Sequence, residues 1–212
     1  MKKVIILGAG GHGKVVLDII LELGFEVLGF IDEDKTKHGQ IINGFMDLGG
    51  WPVLEKERQA ILALGIGNNE IRRMAFERAK QMGISVLTAV HPKAIISKSV
   101  KVGNGVIIMP GAVVNTGTHI EDGVVVNTGA TVDHDCCLGK FCQIWPGAHL
   151  AGTVRVGAGS YIGTGASVIQ NINIGKNTMV GAGAAVVADL PDRVTAVGVP
   201  AKIIKDMNYA KN

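Results

Sequence analysis

Two hydrophobic patterns divide this chain of 212 residues. In the first ninety residues, short apolar runs alternate with segments in which apolar residues recur at helical spacing. Strands that alternate with helices are typical of a parallel sheet with crossover connections, so we expect an α/β domain over residues 1–90. The predicted strands are 4–7, 25–31, 61–66 and 84–90, and the predicted helices are 14–23 and 70–82.

From residue 96 onward, the pattern changes to an aliphatic residue at every sixth position. A period of six fits neither an amphipathic helix nor alternating strands, and it is typical of a parallel β-helix built from hexapeptides. Three hexads per coil would give about five coils over residues 91–212, with short residues filling the interior and glycines allowing corners of positive φ. The sixteen aliphatic anchors are Ile96, Val102, Ile108, Val114, Ile120, Val126, Val132, Leu138, Ile144, Leu150, Val156, Ile162, Val168, Ile174, Val180 and Val186.

Composition agrees with a stacked β-helix and excludes several other classes of protein. Glycine accounts for 30 residues and only 4% of residues are aromatic, so the core cannot depend on large rings. The net charge of +3 is too small for a dedicated nucleic-acid-binding face. Because no apolar run suits a membrane span or a signal peptide, and three cysteines do not suggest a disulfide framework, we expect a soluble cytoplasmic protein.

The first predicted strand leads into a glycine-rich loop, Gly8-Ala9-Gly10-Gly11-His12-Gly13, at the start of a predicted helix. Exposed backbone N–H groups at a helix start bind anions, so the loop predicts a site for a phosphate-bearing ligand. Asp32 ends the second strand, about 20 residues further on, where dinucleotide-binding domains place a carboxylate for the ribose. Four strands are roughly half of a full dinucleotide fold, which favours a Rossmann-like domain for a mononucleotide. A tight glycine turn without a ligand is the alternative interpretation.

Five short motifs occur in order along almost the whole chain. Together they resemble the bacterial sugar acyltransferases of the PglD/NeuD type, whose β-helix is left-handed and usually assembles as a trimer. The resemblance implies that the N-terminal domain receives the nucleotide of a sugar substrate and that the β-helix binds acetyl-CoA between neighbouring subunits. The motifs are Gly8-Ala9-Gly10-Gly11-His12-Gly13-Lys14, Gly29-Phe30-Ile31-Asp32, Gly65-Ile66-Gly67-Asn68-Asn69, His91-Pro92-Lys93-Ala94 and Gly198-Val199-Pro200-Ala201-Lys202.

The resemblance also implies which residues bind each ligand. The residues for the nucleotide-linked sugar are Gly8, Gly10, Gly11, His12, Asp32, Ile66, Gly67 and Asn68. Those for acetyl-CoA are the backbone amides around Ala151, Gly152, Gly181 and Ala182, together with Lys202. Arg155 and Lys176 are further candidates for the coenzyme phosphates, and a solvated surface position is the alternative for each of these cations.

Acetyl transfer to an amine or a hydroxyl needs a base, and His134 is the best candidate among six histidines. It lies two positions after the anchor Val132, at an outward-facing corner, with Asp133 and Asp135 on either side. The family motif places its base at this histidine, followed by an acidic residue, here Asp135, which would fix the imidazole tautomer. Asn127 also matches a family position near the site, and an ordinary corner asparagine with positive φ is the alternative.

A zinc site is a second interpretation of the histidines. Some hexapeptide-repeat proteins are zinc-dependent carbonic anhydrases, and His119, His134 and His149 are evenly spaced. Their spacing of 15 residues differs from a coil of 18, so we expect that they do not share a face and that the protein needs no metal. Cys136 and Cys142 fall at interior positions of the repeat, where they are expected to fill the core.

The resemblance therefore implies an acetyltransferase in which the amino group of a nucleotide-linked sugar, of the UDP-4-amino-4,6-dideoxy type, attacks acetyl-CoA directly. His134 would accept the proton, and no acyl-enzyme would form. Two alternatives stay open. One is an O-acetyltransferase of the sialic acid type, and the other is a non-catalytic nucleotide-binding subunit of a trimeric assembly.

Overall fold

The computed structural model describes residues 2–206 of the chain, and these residues form two compact units that divide after Pro92. No helix in this range is long and apolar enough to cross a membrane. The elements of the first unit are β1 (Lys3–Leu7), α1 (Gly11–Glu22), β2 (Glu26–Ile31), β3 (Ile41–Ile42), β4 (Phe45–Met46), α2 (Pro52–Lys56), β5 (Ile61–Leu64), α3 (Asn69–Gln81) and β6 (Ala89–Val90).

The first unit contains the predicted parallel sheet, with strand order β2-β1-β5; α1 connects β1 to β2, and α3 leads from β5 to the isolated bridge residue Val86. The strand predicted over residues 84–90 is interrupted. Leu62 bonds to Ser85 and Leu87, and Val86 makes a single bridge to Leu62, after which the chain leaves this sheet. The hairpin of β3 with β4 and the short helix α2 were not predicted, because their apolar runs are too short to show a period.

Helix α3 buries only half of the face that its spacing predicts, which consists of Ile71, Met74, Ala75 and Ala79. The two alanines are buried, but Ile71 and Met74 are 56% and 58% exposed. The helix also buries Phe76 and Arg72, and the arginine is completely inaccessible to solvent. Its guanidinium donates to backbone and side-chain oxygens nearby, so this charge is buried with hydrogen-bond partners, which hydrophobic periodicity cannot reveal.

The second unit is a β-solenoid in which a two-residue strand recurs every six positions. Its strands are β7 (Ile95–Ile96), β8 (Lys101–Val102), β9 (Ile107–Ile108), β10 (Val113–Val114), β11 (His119–Ile120), β12 (Val125–Val126), β13 (Thr131–Val132), β14 (Cys137–Leu138), β15 (Gln143–Ile144), β16 (His149–Leu150), β17 (Arg155–Val156), β18 (Tyr161–Ile162), β19 (Ser167–Val168), β20 (Asn173–Ile174), β21 (Met179–Val180), β22 (Ala185–Val186), β23 (Val194–Val197) and β24 (Lys202–Asp206).

Each coil contains three hexads, as predicted, because strands pair in parallel with partners 18 residues away. Thr131, for example, pairs with Val113 below and His149 above. Three sheets form the prism: face 1 is β7-β10-β13-β16-β19-β22, face 2 is β8-β11-β14-β17-β20, and face 3 is β9-β12-β15-β18-β21, which continues into β23 and β24. We call the prism edges between them edge 1–2, edge 2–3 and edge 3–1. Face 1 is six strands deep, so the stack has about six turns where the sequence suggested about five.

The aliphatic anchors form the core of the solenoid. All fourteen from Ile108 to Val186 are at most 3% exposed. Val102, in the first coil, is 38% exposed because its strand is the edge of face 2 and has no coil of the solenoid beneath it. The predicted direction of the anchors is therefore confirmed for every coil that has neighbours on both sides.

Two columns of glycine serve different purposes in the solenoid. The residue three positions after an anchor has positive φ at every corner from Gly105 to Gly183, and glycine occupies most of these corners. Glycines directly after an anchor have ordinary φ and are required by close packing. A Cβ on Gly157 would lie 2.5 Å from the backbone of Gly175 in the next coil.

Candidate active site

His134 and Asp135 form a hydrogen-bonded pair on edge 1–2, at the corner between β13 and β14. The imidazole Nδ1 lies 2.9 Å from Asp135 Oδ2. Because a carboxylate can only accept, Nδ1 carries the hydrogen and Nε2 keeps a free lone pair, which is the form of a general base. The hydrogen bond to Asp135 raises the pKa of His134 above its ordinary value of 6.5, and the charges of Asp133 and Asp135 add to this effect.

The corner backbone explains how the side chains of consecutive residues can meet. In an extended strand, neighbouring side chains point to opposite faces, but Asp135 has a φ of 57°. Aspartate tolerates this left-handed conformation better than most residues, and the Asp135 N–H donates to the carbonyl of Thr116 at 2.9 Å. Gly117, one coil below, leaves room for the carboxylate, since a Cβ there would overlap Asp135 Oδ1.

Asp133 supports the main chain of His134 rather than its ring. Its Oδ1 accepts a hydrogen bond from the His134 N–H at 2.8 Å and another from Asn115 Nδ2 at 2.9 Å. These two bonds, the one from Asn115 first, lower the pKa of Asp133, so this carboxylate is charged at neutral pH. The two aspartates that flank His134 therefore have different tasks.

Gly152 lies one coil above His134 and is covered by its imidazole. A Cβ at Gly152 would stand 2.5 Å from His134 Nε2 and from Cε1. The φ of Gly152 is not positive, so glycine is required there for space and not for its conformation. Within residues 2–206, the N–H of Gly152 donates no hydrogen bond. A free N–H on the residue that the His134 imidazole covers is suited to stabilise an oxyanion.

The backbone N–H groups of the other residues predicted to bind acetyl-CoA are not all free to bind a ligand. The N–H of Ala151 donates to Val168, and the N–H of Gly181 donates to Ala196, so both amides belong to the solenoid ladder. Among the described residues, the N–H of Ala182 makes no hydrogen bond. Lys202 lies on β24 and is exposed.

One chain places the predicted site residues on two different edges of the prism. His134, Asp135 and Gly152 lie on edge 1–2, whereas Asn127 lies on edge 3–1, as do Gly181 and Ala182. Face 1 separates the two edges. Asn127 is not among the residues of positive φ, and its side-chain oxygen accepts a hydrogen bond from the N–H of Thr128 at 2.9 Å. The positive-φ interpretation of Asn127 is therefore wrong, because Gly129 takes that conformation at this corner.

A groove of about 730 Å³ runs along face 2, and it contains Arg155 and Lys176 but neither His134 nor Gly152. Three carboxylates, from Glu121, Asp189 and Asp192, line the same groove. With more carboxylates than cationic side chains, the groove is poorly suited to the phosphates of a coenzyme. The groove therefore does not bring Arg155 or Lys176 together with His134 and Gly152.

The three histidines considered for zinc do not converge. His119 lies on face 2, His134 on edge 1–2 and His149 on face 1, where its Nδ1 is 2.9 Å from Thr131 Oγ1. Cys136 and Cys142 are fully buried inside the prism, as predicted. Across residues 2–206, no group of three or more histidine, cysteine, aspartate or glutamate side chains could hold a metal ion.

The glycine loop of the first unit contains two kinds of glycine. Gly8 has a φ of 104°, and a Cβ there would lie 2.7 Å from the carbonyl of Gly65, while a Cβ on Gly13 would overlap the carbonyl of Gly8. These two glycines allow the start of α1 to pack against the end of β5. Gly10 and Gly11 are exposed and face open space. Gly10 begins α1 without a side-chain cap, so N–H groups of the first turn remain available to an anion.

His12, beside this loop, is a neutral side chain. Its Nε2 is buried and has no hydrogen-bond partner within residues 2–206, although the residue as a whole is partly exposed. Burial, with the positive charge of Arg72 nearby, lowers the pKa of His12 to about 4. His12 therefore contributes no positive charge to a phosphate site at neutral pH.

Asp32 stands next to the glycine loop, as its position in the sequence suggested. Its carboxylate accepts hydrogen bonds from the N–H groups of Ala9 and Asp34 and from Lys37 Nζ, all within 2.9 Å. Burial opposes ionisation, but these bonds outweigh it and lower the pKa of Asp32. Lys37 is a cation that sequence reasoning missed. Its place in a polar loop gave no signal of the contact.

The loop of residues 66–68, predicted to bind the nucleotide, is held by Arg72. The guanidinium donates to the carbonyls of Ile66 and Gly67 at 3.1 and 3.3 Å and to Asn69 Oδ1 at 2.7 Å. Asn68 caps α3 by accepting the N–H of Ile71, so its side-chain oxygen is already engaged. Sequence reasoning missed Arg72, because its hydrogen-bond acceptors on residues 66–67 come from a loop whose conformation the hydrophobic pattern does not show.

Known proteins resemble both units of the chain. Residues 3–79 match the family described as the PglD N-terminal domain. The chain is 31% identical over 167 residues to GDP-perosamine N-acetyltransferase of Escherichia coli O157:H7, which covers 74% of this chain and 73% of that protein. It is 39% identical over 114 residues to UDP-N-acetylbacillosamine N-acetyltransferase of Bacillus subtilis. That match covers 51% of this chain and spans about half, 52%, of the relative.

Solved structures resemble the chain over almost its whole length. The acetyltransferase domain of PglB from Neisseria gonorrhoeae, in complex with acetyl coenzyme A, has a TM-score of 0.90 and 42% identity, covering 96% of this chain and 99% of that one. PerB from Caulobacter crescentus, in complex with CoA and GDP-perosamine, has a TM-score of 0.91 and 41% identity, covering 97% and 98%.

Proposed function

The chain belongs to the PglD/NeuD-type family of sugar acyltransferases, and we propose that it transfers the acetyl group of acetyl-CoA to the amino group of a nucleotide-linked sugar. The observation that carries this proposal is the His134–Asp135 pair beside the free N–H of Gly152. Direct acetyl transfer requires a base for the amine and a hydrogen-bond donor for the oxyanion, and one corner supplies both.

The residues of this corner account for each step of a direct transfer. The sugar amine attacks the thioester carbonyl, a C–N bond forms, and Nε2 of His134 takes the proton that the amine loses. The N–H of Gly152 donates to the oxygen as its negative charge develops. The C–S bond then breaks, and the imidazolium returns its proton to the departing thiolate. Asp135 keeps Nδ1 protonated and stabilises the imidazolium in between.

The thiol nearest this corner along the chain supports transfer without an acyl-enzyme. Cys136 follows Asp135 directly, but its side chain is fully buried inside the prism. Burial raises the pKa of the Cys136 thiol to about 11, so it stays protonated and is a poor nucleophile at neutral pH. The thiol beside the proposed base is therefore unsuited to carry an acetyl group, which favours direct attack of the amine on the thioester.

The first unit is proposed to hold the nucleotide. The uncapped start of α1 at Gly10 and Gly11 suits a diphosphate, and Asp32 stands beside it for the ribose. The names of the relatives contain both UDP- and GDP-linked amino sugars, and they favour an amine over the hydroxyl of a sialic acid. We propose a 4-amino-4,6-dideoxy sugar linked to UDP as the acceptor.

The division of the site between two prism edges supports an assembly of several copies. Edge 1–2 carries the base, while edge 3–1 carries Asn127 with Gly181 and Ala182. In a ring of copies, edge 1–2 of one copy meets edge 3–1 of the next, and both sets of residues line one cleft. We propose that this assembly is a homotrimer.

The function is tested by offering the purified chain acetyl-CoA with UDP- and GDP-linked 4-amino sugars and with a sialic acid. We expect free thiol and the N-acetylated sugar to appear together with the amine acceptor. UDP is expected to raise the melting temperature more than GDP, because binding to the native state stabilises it. Light scattering should give the mass of a trimer. A chain that binds both ligands but forms no acetylated sugar would be a binding subunit and not an enzyme.

Gly11→Asp is expected to abolish binding of the nucleotide-linked sugar and to leave binding of acetyl-CoA unchanged. Gly11 is exposed, has ordinary φ and faces open space, so aspartate fits without strain and brings a negative charge to the helix start. Gly11→Asn has the same bulk without the charge and should bind the sugar nucleotide more tightly than the aspartate variant. Calorimetric titration with each ligand measures both effects. Equal loss of both ligands in a folded variant would show that the loop is not the nucleotide site.

A further inference from the structure

We propose that Thr118 and Cys136, inside the prism, are positioning residues for acetyl transfer. Each donates a hydrogen bond to the carbonyl of a peptide group on edge 1–2, one carrying the N–H of His134 and the other that of Gly152. The inference rests on the proposed function of that corner. It adds an interior layer that holds the base and the oxyanion donor in place.

Thr118 holds the peptide group that precedes the base. Thr118 is 1% exposed, and its hydroxyl Oγ1 donates to the carbonyl of Asp133 at 2.9 Å. The same Oγ1 accepts the N–H of Cys136 at 3.3 Å. Because the peptide is planar and trans, fixing the Asp133 carbonyl inward fixes the His134 N–H outward, where Asp133 Oδ1 accepts it. The peptide group that precedes the base is thereby hydrogen-bonded on both sides, to Thr118 inside the prism and to Asp133 Oδ1 outside it.

Cys136 does the same for the peptide group of Gly152. Its Sγ lies 3.3 Å from the carbonyl of Ala151, inside the prism. The thiol keeps its proton at neutral pH, so it remains a donor. With the Ala151 carbonyl held inward, the N–H of Gly152 must point outward, on the side covered by the His134 imidazole. Rotation of this peptide plane would turn the proposed oxyanion donor away.

The interior column to which these residues belong is otherwise apolar. Its members, at intervals of 18 residues, are Val100, Thr118, Cys136, Val154 and Ile172. The corresponding column behind face 1 consists entirely of alanine: Ala94, Ala112, Ala130, Ala148, Ala166 and Ala184. Hydrogen-bonding side chains therefore replace aliphatic ones in this column only at the two positions that lie directly below the corners of His134 and Gly152, from which each side chain reaches a carbonyl of the next coil.

Ser160 and Thr178 provide matched controls in the column behind face 3. Ser160 Oγ donates to the carbonyl of Gly175, and Thr178 Oγ1 donates to that of Pro191, both at 2.6 Å. Ser160 Oγ also accepts the N–H of Thr178, which repeats the arrangement of Thr118 and Cys136. These bonds serve corners away from edge 1–2, so losing one costs stability in the same way without touching the base.

Thr118→Val and Cys136→Ala are expected to lower kcat about tenfold each, with KM for both substrates unchanged, because they disturb groups used in the transition state. Thr118→Ser and Cys136→Ser keep a donor and should recover most of kcat. Ser160→Ala and Thr178→Val should keep kcat within about twofold of the unsubstituted chain, although their melting temperatures fall by a similar amount. Steady-state kinetics and thermal melting of the six variants measure this.

An NMR measurement separates failure of this inference from failure of the proposed function. The amide resonances of Gly152 and His134 should shift in Cys136→Ala and Thr118→Val, respectively, and stay in place in Ser160→Ala, whether or not turnover is detected. Unmoved resonances would overturn the inference. So would a kcat in Ser160→Ala as low as in Cys136→Ala, or serine variants that fold but recover nothing. Absence of acetyl transfer in the unsubstituted chain, with shifted resonances, would count against the proposed function alone.

Discussion

His134→Ala is expected to lower kcat by a factor of about 10² to 10⁴, the usual contribution of a general base. The dissociation constants of both substrates should change little, because the proposed binding groups lie in the glycine loop and along the backbone amides. Asp135→Asn should cost less, since the imidazole remains while its tautomer is poorly held. Steady-state assays with saturating substrates measure kcat, and titration of each ligand measures its dissociation constant.

The pH dependence of kcat/KM in the same variants tests whether His134 acts as the base. The hydrogen bond that His134 donates to Asp135, with the charges of both neighbouring aspartates, raises the pKa of His134 above 6.5. A base must be neutral to act, so kcat/KM should rise with pH through a value above 6.5 and not below it. Asp135→Asn should move this limb toward lower pH, and His134→Ala should abolish it. Near-normal turnover in His134→Ala would assign the base elsewhere, with His149 or His119 next to be tested.

Gly152→Ala is expected to lower kcat by a factor of about 10² or more while the chain stays folded. The backbone of Gly152 suits alanine, but the added Cβ would stand 2.5 Å from His134 Nε2, so the imidazole must leave its place. The N–H of residue 152 is retained in this variant, so the loss reports the position of the base. Steady-state kinetics and circular dichroism of the purified variant check activity and fold.

The double variant His134→Ala/Gly152→Ala is the control for this interpretation. If Gly152 acts by leaving room for His134, the second substitution should cost little once the imidazole is gone, and the effects should be far from additive. Full additivity of the two losses would show that Gly152→Ala harms the site by another route.

The period of six is sufficient to predict most of the solenoid. An aliphatic residue at every sixth position defines the interior of each coil, since the contacts between successive corners are local in the chain. The same pattern does not single out the proposed catalytic corner. Asp135 occupies a position of positive φ at which most corners carry glycine, but Phe141, Thr153, Asn171 and Asn177 depart from that rule in the same way.

The first unit was less predictable, because its burial depends on partners distant in the sequence. The apolar spacing of α3 favoured Ile71 and Met74 as buried residues, yet Arg72 is buried with the carbonyls of Ile66 and Gly67 as its acceptors. A pattern of hydrophobicity cannot show that a charge has found acceptors. His12 is a similar case, since only the structure reveals that its Nε2 is buried and that its pKa is lowered to about 4.

The sequence by itself therefore determined the repeat, the buried anchors, the glycine loop and the pairing of His134 with an acidic neighbour. Only the tertiary structure decided which residues of different coils meet: Gly152 lies against His134, 18 residues earlier, and Cys136 donates to a carbonyl 15 residues later. It also separated Asn127 from His134, because a step of seven residues along the chain crosses from one prism edge to the next. The physical reason is that these contacts arise from the stacking of coils, and the hydrophobic period does not encode them.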